Sequence, residues 1–228
     1  IDGTIFRSSL LVELIHELVR REVFPGVAYE EMEHDYLAWL NRKGSYENYI
    51  EKLIAICNKY LKGCKFEDVD KIAHEVVLKQ KDIVYRFTRD LVSASKSENY
   101  FLLAISGSPI FMVEKFAINF GFDAVYGNIF EVKNGKFTGN IAREAVYSKD
   151  KILQEFLKSH KKKKVFFDLE DAIAVGDTEG DIPILESVGN PIAFNPNQGL
   201  VKHAKEKGWA VVIERKDVIC RPIKFKFM

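Results

Sequence analysis

Apolar positions in the first hundred residues recur every three or four places. Leu11, Leu14, Ile15 and Leu18 form one such set. Tyr46, Tyr49, Ile50, Leu53, Ile54, Cys57, Tyr60 and Leu61 form a second, and Val69, Ile72, Ala73, Val76, Val77, Ile83, Val84 and Phe87 a third. This spacing puts each set on one face of a helix. A shorter helix is expected from Tyr29 to Leu40, with Pro25-Gly26 and Lys43-Gly44-Ser45 as the intervening turns. From about Asn99 the pattern changes. Short apolar runs at 100–105, 172–175, 191–194 and 209–213 each stop at Ser, Gly, Asn or charged residues. Helical patterns at 116–120, 152–157 and 182–188 lie between them. Continuous apolar runs that alternate with helices predict a parallel sheet buried on both faces, an α/β fold. Phe130 to Thr138, centred on Asn134-Gly135, predicts a hairpin. No internal repeat is visible.

Composition narrows the function classes. Of 228 residues, 47% are hydrophobic and 29% charged, enough apolar surface for a sizeable core. Lys and Arg total 34 and Asp and Glu 33, a net charge of +1. No global positive field would draw in a phosphate backbone, so nucleic acid is not expected as a partner. No apolar run approaches the ~20 residues that cross a bilayer, so no membrane span is expected. Cys57, Cys64 and Cys220 are odd in number and match no metal spacing. They read as free thiols of a reducing compartment, and a cytoplasmic location is expected. Lys161 to Lys164 reads as a solvated connection between helix and strand.

The strand ends carry the chemistry. In open parallel sheets, ligands bind at the carboxyl ends of the strands. Those ends deliver Asp2, Gly3 and Thr4, then Ser106 and Gly107, then Gly176, Asp177 and, a turn later, Asp181. A helix start offers a lysine, Lys149 or Lys151. Clustered carboxylates repel unless a cation joins them, and an oxygen-only set favours Mg²⁺. Ser106, the Gly107 N–H and the lysine supply donors for phosphate oxygens, and a helix that follows Pro109 adds its dipole. Such a set suits phosphoryl transfer. Singly, each residue has a plainer role. Asp2 could cap a helix, residues 106–109 could be a helix-entry loop, the lysines could lie on the surface, and Asp181 could cap the turn before Ile182-Pro183. Their convergence on one sheet edge favours the chemical role.

Over nearly its whole length the chain resembles the haloacid dehalogenase superfamily, in the subgroup (subfamily IB) that contains phosphoserine phosphatase. Ile1-Asp2-Gly3-Thr4 resembles the last four positions of the family's opening Asp-x-Asp-Gly-Thr. Leu102 to Ser106 is similar to the second motif, Lys149 within Tyr147–Leu153 to the third, and Gly176-Asp177-Thr-Glu-Gly-Asp181 to the fourth. The resemblance implies a Rossmannoid core from 1–6 and 96–228, with its first strand largely missing. Residues 7–95 would be an inserted helical cap of the C1 type. It further implies Asp2 as general acid and base, with its backbone carbonyl toward Mg²⁺. Thr4 would position Asp2. Ser106, Gly107 and Lys149 would hold phosphoryl oxygens. Asp177 would bind Mg²⁺, with Asp181 a direct or supporting partner.

One departure is serious. The family's nucleophile, two residues before Asp2, falls before Ile1. The expectation is an N-terminally cut sequence that is nearly inactive as it stands. The implied activity is Mg²⁺-dependent hydrolysis of a small phosphomonoester through an aspartyl-phosphate, by a monomer or homodimer. A catalytically dead phosphometabolite-binding domain and a phosphotransferase are the alternatives. Phosphoserine is disfavoured as substrate, because Ser9 and Glu51 stand where the subgroup has a Glu and an Arg for the amino acid part. The cap supplies aromatics, Phe6, Tyr36, Trp39, Tyr46 and Tyr49, and the sequence does not say which of them face the site.

Overall fold

The computed structural model describes residues 1–44, 46–145, 149–216 and 218–220. Helices come first: α1 (Leu10–Arg20), α2 (Val27–Leu40), α3 (Tyr46–Leu61), α4 (Phe66–Gln80) and α5 (Arg86–Ser97). Then follow β1 (Leu103–Pro109), α6 (Ile110–Ala117), β2 (Ala124–Lys133), β3 (Lys136–Arg143) and α7 (Lys149–Lys162). The chain continues through β4 (Ile173–Gly176), α8 (Ile182–Leu185), β5 (Asn190–Phe194), α9 (Gln198–Lys207), β6 (Ala210–Arg215) and β7 (Val218–Cys220). The α/β class and the parallel core follow the apolar runs: β1 runs parallel to β2, and β4, β5 and β6 are parallel to one another. Antiparallel β3 and β7 complete a three-stranded β1-β2-β3 sheet and a four-stranded β4-β5-β6-β7 sheet. Residues 1–6 tie the two together, through a hydrogen bond from Ser106 of β1 to Asp2 and one from Thr4 to Asp177 beyond β4.

The hairpin forms as Asn134-Gly135 predicts, with both residues at positive φ (52° and 75°). That geometry matches the twist of the flanking strands. Elsewhere the pattern misled in identifiable ways. The third helical set is two helices, broken at residues 81–85 without Gly or Pro. The break is tertiary: the Arg7 N–H donates to the Ile83 carbonyl and the Tyr85 N–H to the Ile5 carbonyl. This pairing with the N-terminal segment outweighs a continuous helical spacing. The polar helix α5 was not expected, and its first N–H groups, Arg86 and Phe87, donate to the Glu214 carboxylate at 3.0 and 2.8 Å. Strand β1 runs on through Ser106 to Pro109, where a loop was expected, and β2 begins six residues before the hairpin. Helix α9, capped by the Asn197 side chain and Gly208, was also missed. The segment 182–188 holds only the single turn α8.

Helices α1, α3 and α4 bury their apolar faces against α6 and the hairpin in one cluster, with Leu14, Leu53, Val76, Phe116 and Phe137 in it. Phe6 belongs to that core. It is fully buried and sits 5.3 Å from Phe116, so it is not an aromatic of the site. Phe87 of α5 packs instead with Phe194 and Val212 of the second sheet. Cys57 is buried, Cys64 half-buried and Cys220 exposed, all as free thiols. No helix among the described residues is long and apolar enough to cross a membrane.

Asn128 fixes the end of β1. Its side chain is fully buried, donates to the Gly107 carbonyl at 2.6 Å and accepts from the Ala145 N–H at 2.6 Å. Removing it strands the buried Ala145 N–H, at about 1–3 kcal/mol, and the partly buried Gly107 carbonyl, at about 1 kcal/mol. Asn128→Ala is therefore expected to lower the unfolding free energy by about 2–4 kcal/mol in urea titrations. A loss below about 0.5 kcal/mol would show that water replaces both bonds.

Candidate functional site

Helix α1 begins with backbone N–H groups that have no partner inside the helix. Its N-cap residue Ser9 makes no side-chain cap bond. Asp2 takes that role: its Oδ1 accepts the Leu10 N–H at 2.6 Å. A carboxylate at this end also meets the positive pole of the helix dipole. The other oxygen, Oδ2, accepts the Ser106 hydroxyl at 2.6 Å. Ser106 Oγ in turn accepts the Ser108 N–H at 2.9 Å, and Ser108 Oγ accepts the Leu11 N–H at 3.2 Å. The plain expectation for Asp2, a helix cap, is met, and its second oxygen brings it to Ser106. Gly107 lies within β1, its carbonyl held by Asn128.

Gly3 adopts φ +69°, a conformation that L side chains rarely take, and a Cβ there would collide with the Asp177 carboxylate. Next to it the Thr4 hydroxyl donates to Asp177 Oδ1 at 2.8 Å, and the Thr4 carbonyl accepts the Thr88 hydroxyl at 2.8 Å. The expected Thr4–Asp2 support is therefore redirected: Thr4 holds Asp177.

Lys149 opens α7 and makes a buried ion pair with Asp181 Oδ1, the two side chains only 16% and 6% exposed. Lys151 is exposed, so Lys149 is the lysine that reaches the cluster. Tyr147 and Ser148 of the same motif lie outside the described residues. Asp181 Oδ2 accepts the N–H groups of Asp177 (2.9 Å) and Thr178 (3.1 Å), and Asp181 forms a capping box with Thr178. The expected cap on the turn before Ile182-Pro183 does not form: Asp181 makes no side-chain cap bond to α8 and holds the preceding turn at Thr178 instead.

Electrostatics separates the two aspartates. Burial opposes ionisation of Asp181, but Lys149 and the two backbone donors outweigh it and hold the carboxyl below its usual range. Burial likewise works against the Lys149 ammonium, and Asp181, Asp177 and Asp2 outweigh it to raise the lysine. Asp177 goes the other way. Burial first and the Asp181 charge second push it up to about 7, against the pull of Lys149 and Thr4.

Among the described residues no three His, Cys, Asp or Glu side chains gather as a metal-holding group. Of the residues expected at the ion, Asp2 is expected to face it through its backbone carbonyl, and the carboxylates of Asp2 and Asp181 are engaged elsewhere. Asp2 holds Leu10 and Ser106, and Asp181 holds Lys149 and two N–H groups. Asp177 has spare capacity and a charge that its surroundings disfavour, which a cation would relieve. This donor set fits Mg²⁺, which takes one or two carboxylates and fills its shell with water and other oxygens.

Above Gly3 and Asp177 opens a cavity of about 1230 Å³. Ser9, Tyr36, Trp39, Tyr46 and Tyr49 line it, while Glu51, exposed on α3, does not. Sequence reasoning missed Glu13 and His16 on α1, and Arg7, Tyr85 and Asn195, as lining residues. A signal for the first two existed. Ser9, Val12, Glu13 and His16 follow i, i+3, i+4, i+7 spacing, complementary to the buried face of Leu10, Leu11, Leu14, Ile15 and Leu18.

The buried pair yields a stability prediction. Asp181→Asn leaves the Lys149 ammonium without its counter-charge, and breaking such a pair costs about 3–5 kcal/mol. Asp181 titrates lower in the fold than in the unfolded chain. Its contribution is therefore present above the ordinary carboxylate range and lost as pH falls through its lowered value. Denaturant titrations should show the full loss at pH 7 and a smaller gap between the two proteins at acidic pH. An unchanged gap across that range would refute the assignment.

Comparison with known proteins agrees with this geometry. Phosphoserine phosphatase of Methanocaldococcus jannaschii is 26% identical over 219 residues, covering 95% of this chain and 90% of that protein. Phosphoserine phosphatase of Archaeoglobus fulgidus is 24% identical over 84% of this chain, which spans 53% of that longer protein. A structure described as a phospho-aspartyl intermediate analogue of phosphoserine phosphatase shares the fold, with a TM-score of 0.61 at 24% identity, over 95% of this chain and 91% of that one. The haloacid dehalogenase-like hydrolase family model matches residues 1–186, and with the strand ends, the buried lysine and the Gly-Asp turn in place, the chain belongs to that family.

Proposed function

We propose that the protein is a Mg²⁺-dependent phosphatase of small phosphomonoesters that works through an aspartyl-phosphate. One observation carries this reading: the Asp2–Ser106 hydrogen bond and the buried Lys149–Asp181 pair flank the contact of Gly3 with Asp177, and Gly3 and Asp177 line a large cavity. The phosphoryl acceptor is a carboxylate two residues before Asp2, and turnover requires it. Ser106, the Gly107 N–H and Lys149 hold the phosphoryl oxygens; the ammonium has three donors and can keep Asp181 while offering the others. Asp2, clamped by the Leu10 N–H, gives its proton to the leaving alcohol and then takes one from the attacking water. Asp177 would hold Mg²⁺, which neutralises charge on the phosphoryl group when bound. Helices α1–α4 act as the cap that shields the reaction from bulk water. The curated relatives above are named for phosphoserine, but Ser9 offers the cavity a hydroxyl and Glu51 stays outside it, which favours a different ester.

Two chains test this: one beginning at Ile1, one extended upstream with Asp two residues before Asp2. The extended chain is expected to release phosphate from a phosphomonoester panel only with Mg²⁺, and the shorter one to be at least about 10³-fold slower, the range lost with a catalytic nucleophile. Mg²⁺ should also raise the melting temperature of the extended chain and leave its Asp177→Ala variant unmoved. Turnover in that variant would overturn the metal assignment. Ester binding without turnover would point to the non-catalytic alternative, and ester formation with added alcohols to a phosphotransferase.

A further inference from the structure

Helix α7 starts at Lys149 in the site and runs for 14 residues, so its other end lies about 20 Å away. That end carries Lys158 and Lys161 to Lys164, all exposed. Among the described residues none of these lysines forms an ion pair. Glu155, the carboxylate before them on the helix, is taken by Arg143. The acidic residues that follow come after Phe167, and the first of them, Asp168, accepts the Glu170 N–H at 2.9 Å.

Two backbone bonds close the helix end. The Val165 N–H donates to the His160 carbonyl and the Lys164 N–H to the Lys161 carbonyl, both at 3.0 Å, with Lys164 at φ +60°. Glycine is the usual residue at that left-handed position. A lysine there strains the backbone and adds one more like charge to a run that already repels itself.

The residues that leave this turn go opposite ways. Phe167 packs among Phe101, Phe156 and His160, with ring centroids 5.1, 5.1 and 5.4 Å away. That anchor leaves Phe166 outside: it is 74% exposed, and Val165 beside it 44%. A nucleic acid backbone would use the lysines and leave this apolar pair wet. An anionic bilayer uses both, because headgroups take the charges and the interface takes the apolar side chains at shallow depth. Such a contact is peripheral and needs no spanning helix.

We propose that the end of α7 and the Val165-Phe166 tip form a docking surface for an anionic membrane. The surface lies at the end of α7 away from Lys149, and it is independent of the chemistry at Asp2.

The test is sedimentation of the full-length protein with phosphatidylcholine vesicles, with and without phosphatidylserine at about a third of the lipid. Binding is expected only to the anionic vesicles. It should vanish as salt rises from about 0.1 M to about 1 M, where the screening length falls from about 10 Å to about 3 Å. Changing Lys161, Lys162, Lys163 and Lys164 together to Gln should weaken it at least about 100-fold, from roughly fivefold per lysine at the surface. Phe166→Ser should weaken it about tenfold or more. Lys164→Gly separates binding from folding: it should raise the melting temperature by relieving the backbone and still weaken vesicle binding about fivefold. No sedimentation with anionic vesicles overturns the proposal. So does binding that ignores Phe166, because lysines alone would serve any polyanion. Saturable binding to an oligonucleotide in place of vesicles would assign the surface to nucleic acid and overturn it as well. If the fourfold variant fails to fold, Lys164→Gly and Phe166→Ser decide.

Discussion

The Asp2 carboxylate is where three parts of the chain meet. One oxygen closes the open start of α1, and the other takes the hydroxyl at position 106 of β1. The backbone of the next residue lies on Asp177. These contacts need a side chain that accepts from two directions at once and a following residue with no Cβ. Asp followed by Gly meets both needs. Ser106 and Ser108 extend the same hydrogen-bonded run to Leu11, so the first turn of α1 and the end of β1 cannot shift independently. The geometry of the site is therefore set by how a helix start is capped.

Charge is arranged around that anchor with the same economy. Lys149 and Asp181 neutralise each other in a place where either alone would be costly. The Asp181 oxygens are fully engaged, which turns the residue into a frame for the Asp177 loop. The remaining negative charge falls on Asp177, where burial and the neighbouring Asp181 make ionisation unfavourable. Asp177 also lines the cavity, and it is this disfavoured carboxylate on which the proposed Mg²⁺ assignment rests.

Much of this was legible in the chain. Apolar runs that stop at Gly176 and Asn195 marked the ends of β4 and β5, because a parallel strand buried on both faces cannot alternate. Asn134-Gly135 marked the hairpin through its left-handed backbone. What stayed hidden depended on partners distant in sequence. Residues 81–85 keep a helical spacing, and only the pairing of Arg7 and Tyr85 across that segment breaks it. Helix α5 has a polar sequence and is anchored by Glu214, more than a hundred residues away. Ser106 to Pro109 has the composition of a loop but continues as strand alongside β2. Asp2 and Asp181 each had a plain capping role and a chemical one; the fold makes Asp2 the cap of α1 and turns Asp181 to Lys149 and the Asp177 loop. Composition alone had no way to rank the two roles.

Helix α1 shows why the site and the pocket above it are coupled. Its N-terminus grips Asp2, its apolar face carries Leu14, Ile15 and Leu18 into the core, and its third face presents Ser9, Glu13 and His16 to the cavity. These are successive faces of one rigid cylinder, related by the 100° step between residues. A change on the cavity face leaves the cap and the core in register as long as it preserves helix propensity. A rotation of the helix would move all three at once. Position 13 can therefore vary in charge without disturbing Asp2, while positions 10 and 14 cannot vary freely. Such a division lets the start of α1 keep one geometry at Asp2 while the surface that faces the cavity changes.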